Sequence, residues 1–133
     1  MFQVVSKTFF DKPGVMTRLQ KAEREALTRL GAFVRQRAKT SIRKRKGTSK
    51  PGLPPFSHTG TLRRGILFSY DSAANSVVIG PVLLGSMDGA PEALEHGGRP
   101  RGGGKYVRKR PFMLPAFVAE LPKFPGLIKD RMR

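Results

Sequence analysis

The sequence predicts an α+β fold in one domain spanning residues 1–133. We expect a long N-terminal amphipathic helix packed on a small, mainly antiparallel sheet, with a short C-terminal helix and long Gly/Pro-rich loops. Three observations predict this class: a helical apolar period over residues 15 to about 43, two β-rich runs around a turn-rich connection, and the concentration of Gly and Pro between these elements. A chain of 133 residues has room for one modest core.

The N-terminal part of the chain predicts a strand followed by the long helix. Residues 1–10 alternate loosely and are rich in β-branched and aromatic side chains, which is typical of a strand. Asp11 is placed to cap the helix, and Pro13 fits its first turn. The apolar stripe of this helix, which we expect to pack on a sheet, consists of Met16, Leu19, Ala22, Ala26, Leu27, Leu30, Phe33, Val34 and Ala38.

Two segments predict long loops. Residues 46–57 carry several glycines and prolines, so they cannot continue the helix. Residues 97–105 hold a run of glycines that lacks the spacing and the following helix of a phosphate-binding loop. We expect both segments to be mobile arms in the free protein and to become ordered against a partner.

The middle of the chain predicts an antiparallel hairpin. Residues 61–70 and 76–82 are its strands, and Ile66, Phe68 and Tyr70 share one face. The remaining predicted elements are a short helix at 90–95, a basic strand at 105–110, and helices at 114–121 and 125–132 that Pro122 separates.

The charge of the chain predicts a polyanionic partner. Lys and Arg number 26 against nine acidic residues, which gives a net charge of +17. The chain has no cysteine and two histidines, so we expect no disulfide, no metal site and no cofactor. No apolar run approaches the roughly 18 residues of a membrane span, and no signal-peptide pattern is present. We therefore expect a soluble protein without a membrane partner.

The candidates for catalysis are few. They are His58, His96, Asp88, Glu92, Glu95 and the serines. Adjacent residues such as Ser57 and His58 point apart, and the spacing of a nucleophile elbow is absent. A turn histidine that bonds locally is the commoner role for His58. We therefore expect no enzymatic activity and no catalytic residue.

Two basic clusters are the candidate contact residues. They are Arg43, Lys44, Arg45 and Lys46 at the end of the helix, and Arg108 and Lys109 farther along. Such clusters can contact nucleic-acid phosphates without reading bases. The sequence leaves open whether they face DNA or an acidic protein. It lacks the helix-turn-helix, zinc-finger and aromatic stacking signatures of a sequence-specific reader.

Four short motifs occur in order along the chain. They are His58-Thr59-Gly60-Thr61-Leu62-Arg63-Arg64-Gly65-Ile66, then Val77-Val78-Ile79-Gly80-Pro81, then Leu94-Glu95-His96-Gly97-Gly98, then Arg110-Pro111-Phe112-Met113-Leu114-Pro115-Ala116-Phe117. With the long basic helix before them, they resemble the neck and tail-completion proteins of long-tailed bacteriophages, which include minor tail protein Z-like and phage virion morphogenesis proteins. The resemblance spans roughly residues 15–121. The positions that carry it are Thr59, Gly60, Leu62, Arg63, Glu95, Gly97, Arg110, Pro111, Phe112, Pro115 and Ala116.

This resemblance implies a non-enzymatic structural protein of the virion, assembled in the host cytoplasm. It implies a homo-oligomeric ring, usually sixfold, at the head–tail junction. The ring would join the portal, through a head connector or stopper, to the tail terminator or tail tube, with double-stranded DNA in its lumen. The charge alone favours a different class, a ribosome-associated type of nucleic-acid-binding protein, and a small hydrolase is a third alternative.

The last motif leaves two positions open for Phe112. One is the cleft between the long helix and the hairpin, and the other is a pocket on a neighbouring subunit. Pro111 favours an extended Arg110, and Pro115 is expected to open a helix near Ala116.

Overall fold

A computed structural model describes residues 11–82, 89–101 and 103–133. The predicted α+β class is confirmed, because a long N-terminal helix packs on a two-stranded antiparallel sheet and helices follow at the C-terminus. The predicted strand at 1–10 lies outside the described residues. The elements in chain order are α1 (Lys12–Ser41), α2 (Thr61–Gly65), β1 (Ile66–Asp71), β2 (Ser76–Pro81), α3 (Ala90–His96), α4 (Met113–Glu120), a 3-10 turn (Leu121–Lys123) and α5 (Phe124–Arg131).

Helix α1 is the central element and begins as predicted. Asp11 is its N-cap and accepts a hydrogen bond from the Gly14 N–H at 3.1 Å, with Pro13 in the first turn. The helix ends at Ser41, two residues earlier than expected, and the Ile42 N–H still donates to Ala38. The buried residues of α1 are Ala22, Ala26, Leu30, Gly31, Val34 and Ala38.

Two members of the predicted apolar stripe are exposed. Met16 keeps 45% of its surface accessible and Phe33 keeps 37%, so their assignment to the core is wrong. The large buried side chains of α1 begin at Leu30, which leaves Met16 beyond the packed region. Phe33 lies beside the C-terminal helices, and the Lys123 ammonium is 5.2 Å from the centroid of its ring.

The predicted hairpin is confirmed and packs closely on α1. Phe68 pairs with Ile79, and Tyr70 pairs with Val77. Gly31 makes the close approach possible, because a Cβ there would lie 2.7 Å from the Val77 side chain and 2.9 Å from that of Phe68. The close packing of the helix against the hairpin therefore requires a glycine at position 31. The helical period of the sequence does not reveal this requirement.

Residues 61–65 form helix α2, so the first half of the predicted 61–70 strand is wrong. Gly60 has a positive φ of 79° and reverses the chain before the helix. The Arg64 N–H then donates to the Gly60 carbonyl at 3.0 Å and closes a helical turn. This turn places Leu62 in the core, which is the packing reason for a helix here.

The basic strand predicted at 105–110 is also wrong. Only Val107 forms a β-bridge, with Gly98. The neighbouring backbone groups bond to other segments: the Lys109 carbonyl accepts from Gly52 at 2.9 Å, and the Arg110 N–H donates to Leu94 at 2.6 Å. The backbone groups of residues 107–110 therefore bond to three different places, Gly98, Gly52 and Leu94. They are not paired in sequence with one neighbouring strand, so no regular strand forms.

The two C-terminal helices predicted at 114–121 and 125–132 are confirmed to within one residue at each end. Helix α4 starts at Met113 rather than near Ala116, with Pro115 in its first turn, where a missing N–H leaves no bond unmade. Pro122 lies in the 3-10 turn that links α4 to α5. None of the helices in the described ranges combines the length and apolar character needed to cross a membrane.

Phe112 lies in the core of the single chain, which is the first of its two predicted positions. It is 1% exposed and is the largest fully buried side chain among the residues that the structure describes. It packs in a cluster that α1, α2, β1 and α4 all contribute to, with Leu30, Val34, Ala38, Ile42, Leu62, Ile66 and Ala116.

Replacement of Phe112 by Ala should destabilise the fold by about 3–5 kcal/mol, because it leaves a cavity where four elements meet. Thermal or urea unfolding of the purified protein measures this cost. Phe117→Ala is the matched control, since Phe117 lies five residues farther along, on α4, and is 40% exposed. Equal losses in the two variants would contradict the central position of Phe112.

A buried carboxylate joins α4 to α1. Glu120 is 4% exposed, and it bonds to the Arg37 side chain and lies 2.6 Å from the Lys123 ammonium. The Lys123 and Arg37 hydrogen bonds hold the pKa of Glu120 below its ordinary value of 4.5, although burial acts in the opposite direction. The charged form is therefore favoured by folding.

The lowered pKa of Glu120 predicts an acid-sensitive contribution to stability. This contribution is complete above the ordinary pKa of 4.5 and is lost as the pH falls through the lowered folded-state pKa. Glu120→Gln should cost about 1–3 kcal/mol at neutral pH and flatten the stability curve below pH 4.5. Urea unfolding across pH measures both effects. Exposed Glu92→Gln is the control, and parallel acid limbs for wild type and Glu120→Gln would refute the assignment.

Candidate functional site

The loop at 46–57 has no regular helix or strand, yet it is fastened to the rest of the chain. The Ser57 N–H donates to Arg43 at 2.9 Å, and the His58 Nε2 lies 2.8 Å from the Gly47 carbonyl. These two contacts close the base of the loop. Its expected mobility in the free protein stays a prediction.

A second pair of contacts fastens the tip of this loop to the segment around residue 109. The Gly52 N–H donates to the Lys109 carbonyl at 2.9 Å, and the Arg110 Nε donates to the Ser49 carbonyl at 2.9 Å. The loop therefore lies between the two basic clusters, which are far apart in the sequence. Arg110 holds the loop by its side chain, which is a structural role.

This arrangement produces one strongly basic region, which we call the basic end. All its cations are exposed to solvent: Arg43, Lys44, Arg45, Lys46, Lys50, Arg108 and Lys109. The predicted clusters are brought to the same loop, and Lys50 joins them as a residue that the prediction did not include. None of these cations forms an ion pair within the described part of the chain. Their charge is available to an anionic partner.

Glu95 has a structural role at the start of α4. Its Oε2 accepts from the Phe112 and Met113 N–H groups at 2.9 and 3.0 Å, and its Oε1 accepts from the Leu114 N–H at 2.8 Å. These donors have no partner within the helix, and the negative charge also favours the positive end of the helix dipole. The third and fourth motifs therefore meet at this carboxylate.

The remaining motif residues also serve the local fold. Gly60 and Gly97 have positive φ values of 79° and 78°, which side chains other than glycine seldom adopt. The Thr59 hydroxyl lies 2.8 Å from that of Thr61, while Arg63 is exposed on α2. These motif residues therefore stabilise turns and helix ends, except Arg63, whose side chain is exposed on α2.

The candidate catalytic residues lie in two separate places. Glu92, Glu95 and His96 line one groove of about 360 Å³ beside Pro81, whereas Ser57 and His58 lie at the base of the 46–57 loop. Ser57 is buried and its hydroxyl accepts from Gly60 at 3.0 Å, whereas His58 is exposed and bonds to Gly47. The exposed Glu92 lies 3.8 Å from Arg101, and the oxygens of Glu95 are engaged by α4. Asp88 lies outside the described residues. Among the residues that the structure describes, no group of three or more His, Asp or Glu could hold a metal ion.

The basic end also contains a groove that the sequence does not reveal. It has a volume of about 700 Å³ and lies between the end of α1 and the loop. Its lining combines Arg43 and Arg45 with Lys50, Leu53 and Phe56. No periodic pattern could reveal it, since these residues belong to an irregular segment whose shape depends on contacts with Lys109 and Arg110.

Comparisons with protein-family models, curated proteins and solved structures found no significant match to this chain.

Replacement of Glu95 by Ala should lower the free energy of unfolding by about 1–2 kcal/mol, because three N–H groups at the start of α4 lose their acceptor. Glu92→Ala on the same helix is the matched control, with an expected cost under about 0.5 kcal/mol, since its ion pair is exposed. Urea unfolding measures both. A similar small cost for the two variants would show that the cap contributes little.

Proposed function

We propose that this protein is a non-enzymatic structural subunit of a tailed-phage neck. It forms a homo-oligomeric ring at the head–tail junction, and the resemblance implies six copies in that ring. The proposal is carried by one observation: the Glu95 motif and the Arg110-Pro111-Phe112 motif are 15 residues apart in the sequence and meet at the start of α4. Two of the four motifs that resemble those of phage neck proteins therefore form one junction. In that role the subunit belongs to the virion and meets connector and tail proteins around the DNA path.

An exposed apolar stripe on α4 supports self-association. Phe117 and Val118 follow Leu114 by three and four residues, which places all three on one face of the helix, and Leu121 continues this stripe into the 3-10 turn. Leu114 and Val118 are 58% and 59% exposed. A contiguous apolar surface of this kind is typical of a protein contact. A ring needs such a surface and a different one to receive it on the next subunit.

The basic end favours a second candidate function, binding of nucleic acid without sequence preference. Seven exposed cations surround the loop, which is the arrangement that phosphate contacts require. Nucleic-acid binding would use the same exposed cations as the neck function, but it would not require a ring. Salt distinguishes the two functions, because added salt should favour ring formation and weaken nucleic-acid binding.

The oligomeric mass of the purified protein tests the proposed function. Raising the salt from roughly 50 to 200 mM should promote a closed ring, because salt screens the repulsion between subunits of charge +17 and leaves apolar contacts intact. Light scattering should then report a multiple of 14.7 kDa, and electron microscopy should show rings. A monomer at every salt concentration, with nucleic-acid affinity that falls steeply with salt, would instead establish the second candidate.

The α4 stripe supplies a matched pair of variants for this experiment. Val118→Ser should abolish or weaken the ring, whereas Ala119→Ser should leave it unchanged, because Ala119 is the exposed neighbour outside the stripe. Both variants should keep the thermal stability of the wild-type protein to within about 0.5 kcal/mol, as exposed substitutions do. A ring that survives Val118→Ser would remove α4 from the subunit contact.

A further inference from the structure

The groove at the basic end has a positive rim. Arg43, Arg45 and Lys50 line it, and none of its lining residues is acidic. Within the chain, no acidic residue occurs between Glu25 and Asp71. An anionic ligand would therefore meet three cations in the groove and no opposing carboxylate from its wall.

A buried hydroxyl in the wall has no partner. Ser49 is 6% exposed, and its Oγ makes no hydrogen bond within the described part of the chain. Its carbonyl is occupied by Arg110, so the side chain alone is unsatisfied. A shielded hydroxyl without a partner costs free energy, so the wall of the groove holds an unsatisfied polar group beside its cations.

The groove also has an apolar part. Leu53 lines it with 54% of its surface exposed, and Pro54 and Phe56 lie beside it. The Arg45 guanidinium covers the Phe56 ring, 5.8 Å from its centroid. The ring is consequently less available as a platform for stacking a nucleotide base.

We propose that this groove binds an acidic segment of a partner protein, in which an apolar side chain lies between carboxylates. The carboxylates would pair with Arg43, Arg45 and Lys50, and the apolar side chain would cover Leu53. A nucleic-acid backbone matches the cations but offers no aliphatic group to Leu53. The inference goes beyond the proposed ring and does not depend on it, because the whole groove lies within one subunit.

Binding of short fluorescein-labelled peptides to the full chain tests this inference by anisotropy. The probe alternates Asp and Glu with Leu. One comparison peptide replaces Leu by Ser, and another replaces the acids by Asn and Gln. Single-stranded and duplex DNA of equal net charge serve as competitors. The probe should bind at least roughly tenfold more tightly than either comparison peptide. The Ser peptide loses the burial of Leu, which is worth about that factor, and the amide peptide loses its charge pairing with the three cations.

Three variants locate the binding site. Arg43→Gln, Arg45→Gln and Lys50→Gln together should weaken the probe by roughly tenfold or more. The matched control carries Arg18→Gln, Lys21→Gln and Arg29→Gln, which remove the same charge from exposed positions of α1 outside the groove. Leu53→Ser should weaken the probe by roughly tenfold and leave the affinity for DNA unchanged.

Three results would overturn the inference. They are equal losses in the groove and control triple variants, insensitivity of the probe to Leu53→Ser, and preference for DNA over the probe at matched charge. The last result would make the groove a nucleic-acid site. Light scattering on the same variants reports ring formation separately, so failure of the ring and failure of the groove give distinguishable outcomes.

Discussion

The contact between the Glu95 carboxylate and the start of α4 is the interaction on which the rest of the structure depends. It fixes where α4 begins, one residue after Phe112, and so directs the Phe112 ring into the cluster formed with α1, α2 and β1. It also fixes the segment just before it, whose Lys109 and Arg110 hold the loop tip. One carboxylate therefore organises both the core and the basic end.

At the basic end, backbone hydrogen bonds hold together a region whose positive charges repel one another. Like charges repel, so a chain with seven exposed cations around one loop would gain by spreading them apart. Uncharged backbone contacts hold the region together instead, such as Gly52 to Lys109 and Ser57 to Arg43. Because those bonds use main-chain groups, all seven cationic side chains stay directed to solvent. A region that keeps its cations free of internal ion pairs is suited to an external anion.

The parts of the fold that could be predicted from the sequence are those with a repeated pattern. The repeated apolar pattern of α1 predicted the existence of this 30-residue helix, and Asp11 supplied a recognisable cap at its start. Helix α2 has five residues, too few for a period, and its β-branched and apolar neighbours imitate a strand. The positive φ of Gly60 turns the chain into α2 instead of a strand, and the sequence indicates this conformation only by the presence of a glycine.

Of the candidate site, only the charged residues could be predicted from the sequence. Sequence identified both basic clusters and Glu95, but the groove depends on an irregular loop whose partners lie about 60 residues away, as in the bond from Arg110 to Ser49. The same long-range contacts explain why the 105–110 strand failed to form. Non-local hydrogen bonds between loops leave no local pattern, so neither the groove nor the attachment of Arg110 could be derived beforehand.

The proposed ring and the proposed groove are coupled through charge. Subunits of charge +17 repel one another in a ring, and an acidic segment bound at Arg43, Arg45 and Lys50 lowers the charge that each subunit presents. By linkage, a ligand that favours the assembled state must itself bind that state more tightly. An acidic partner would thus promote association without touching the α4 stripe, and the association would in turn strengthen its binding. In the proposed assembly the excess of positive charge would then control association, because the ring would be favoured where the acidic partner is present.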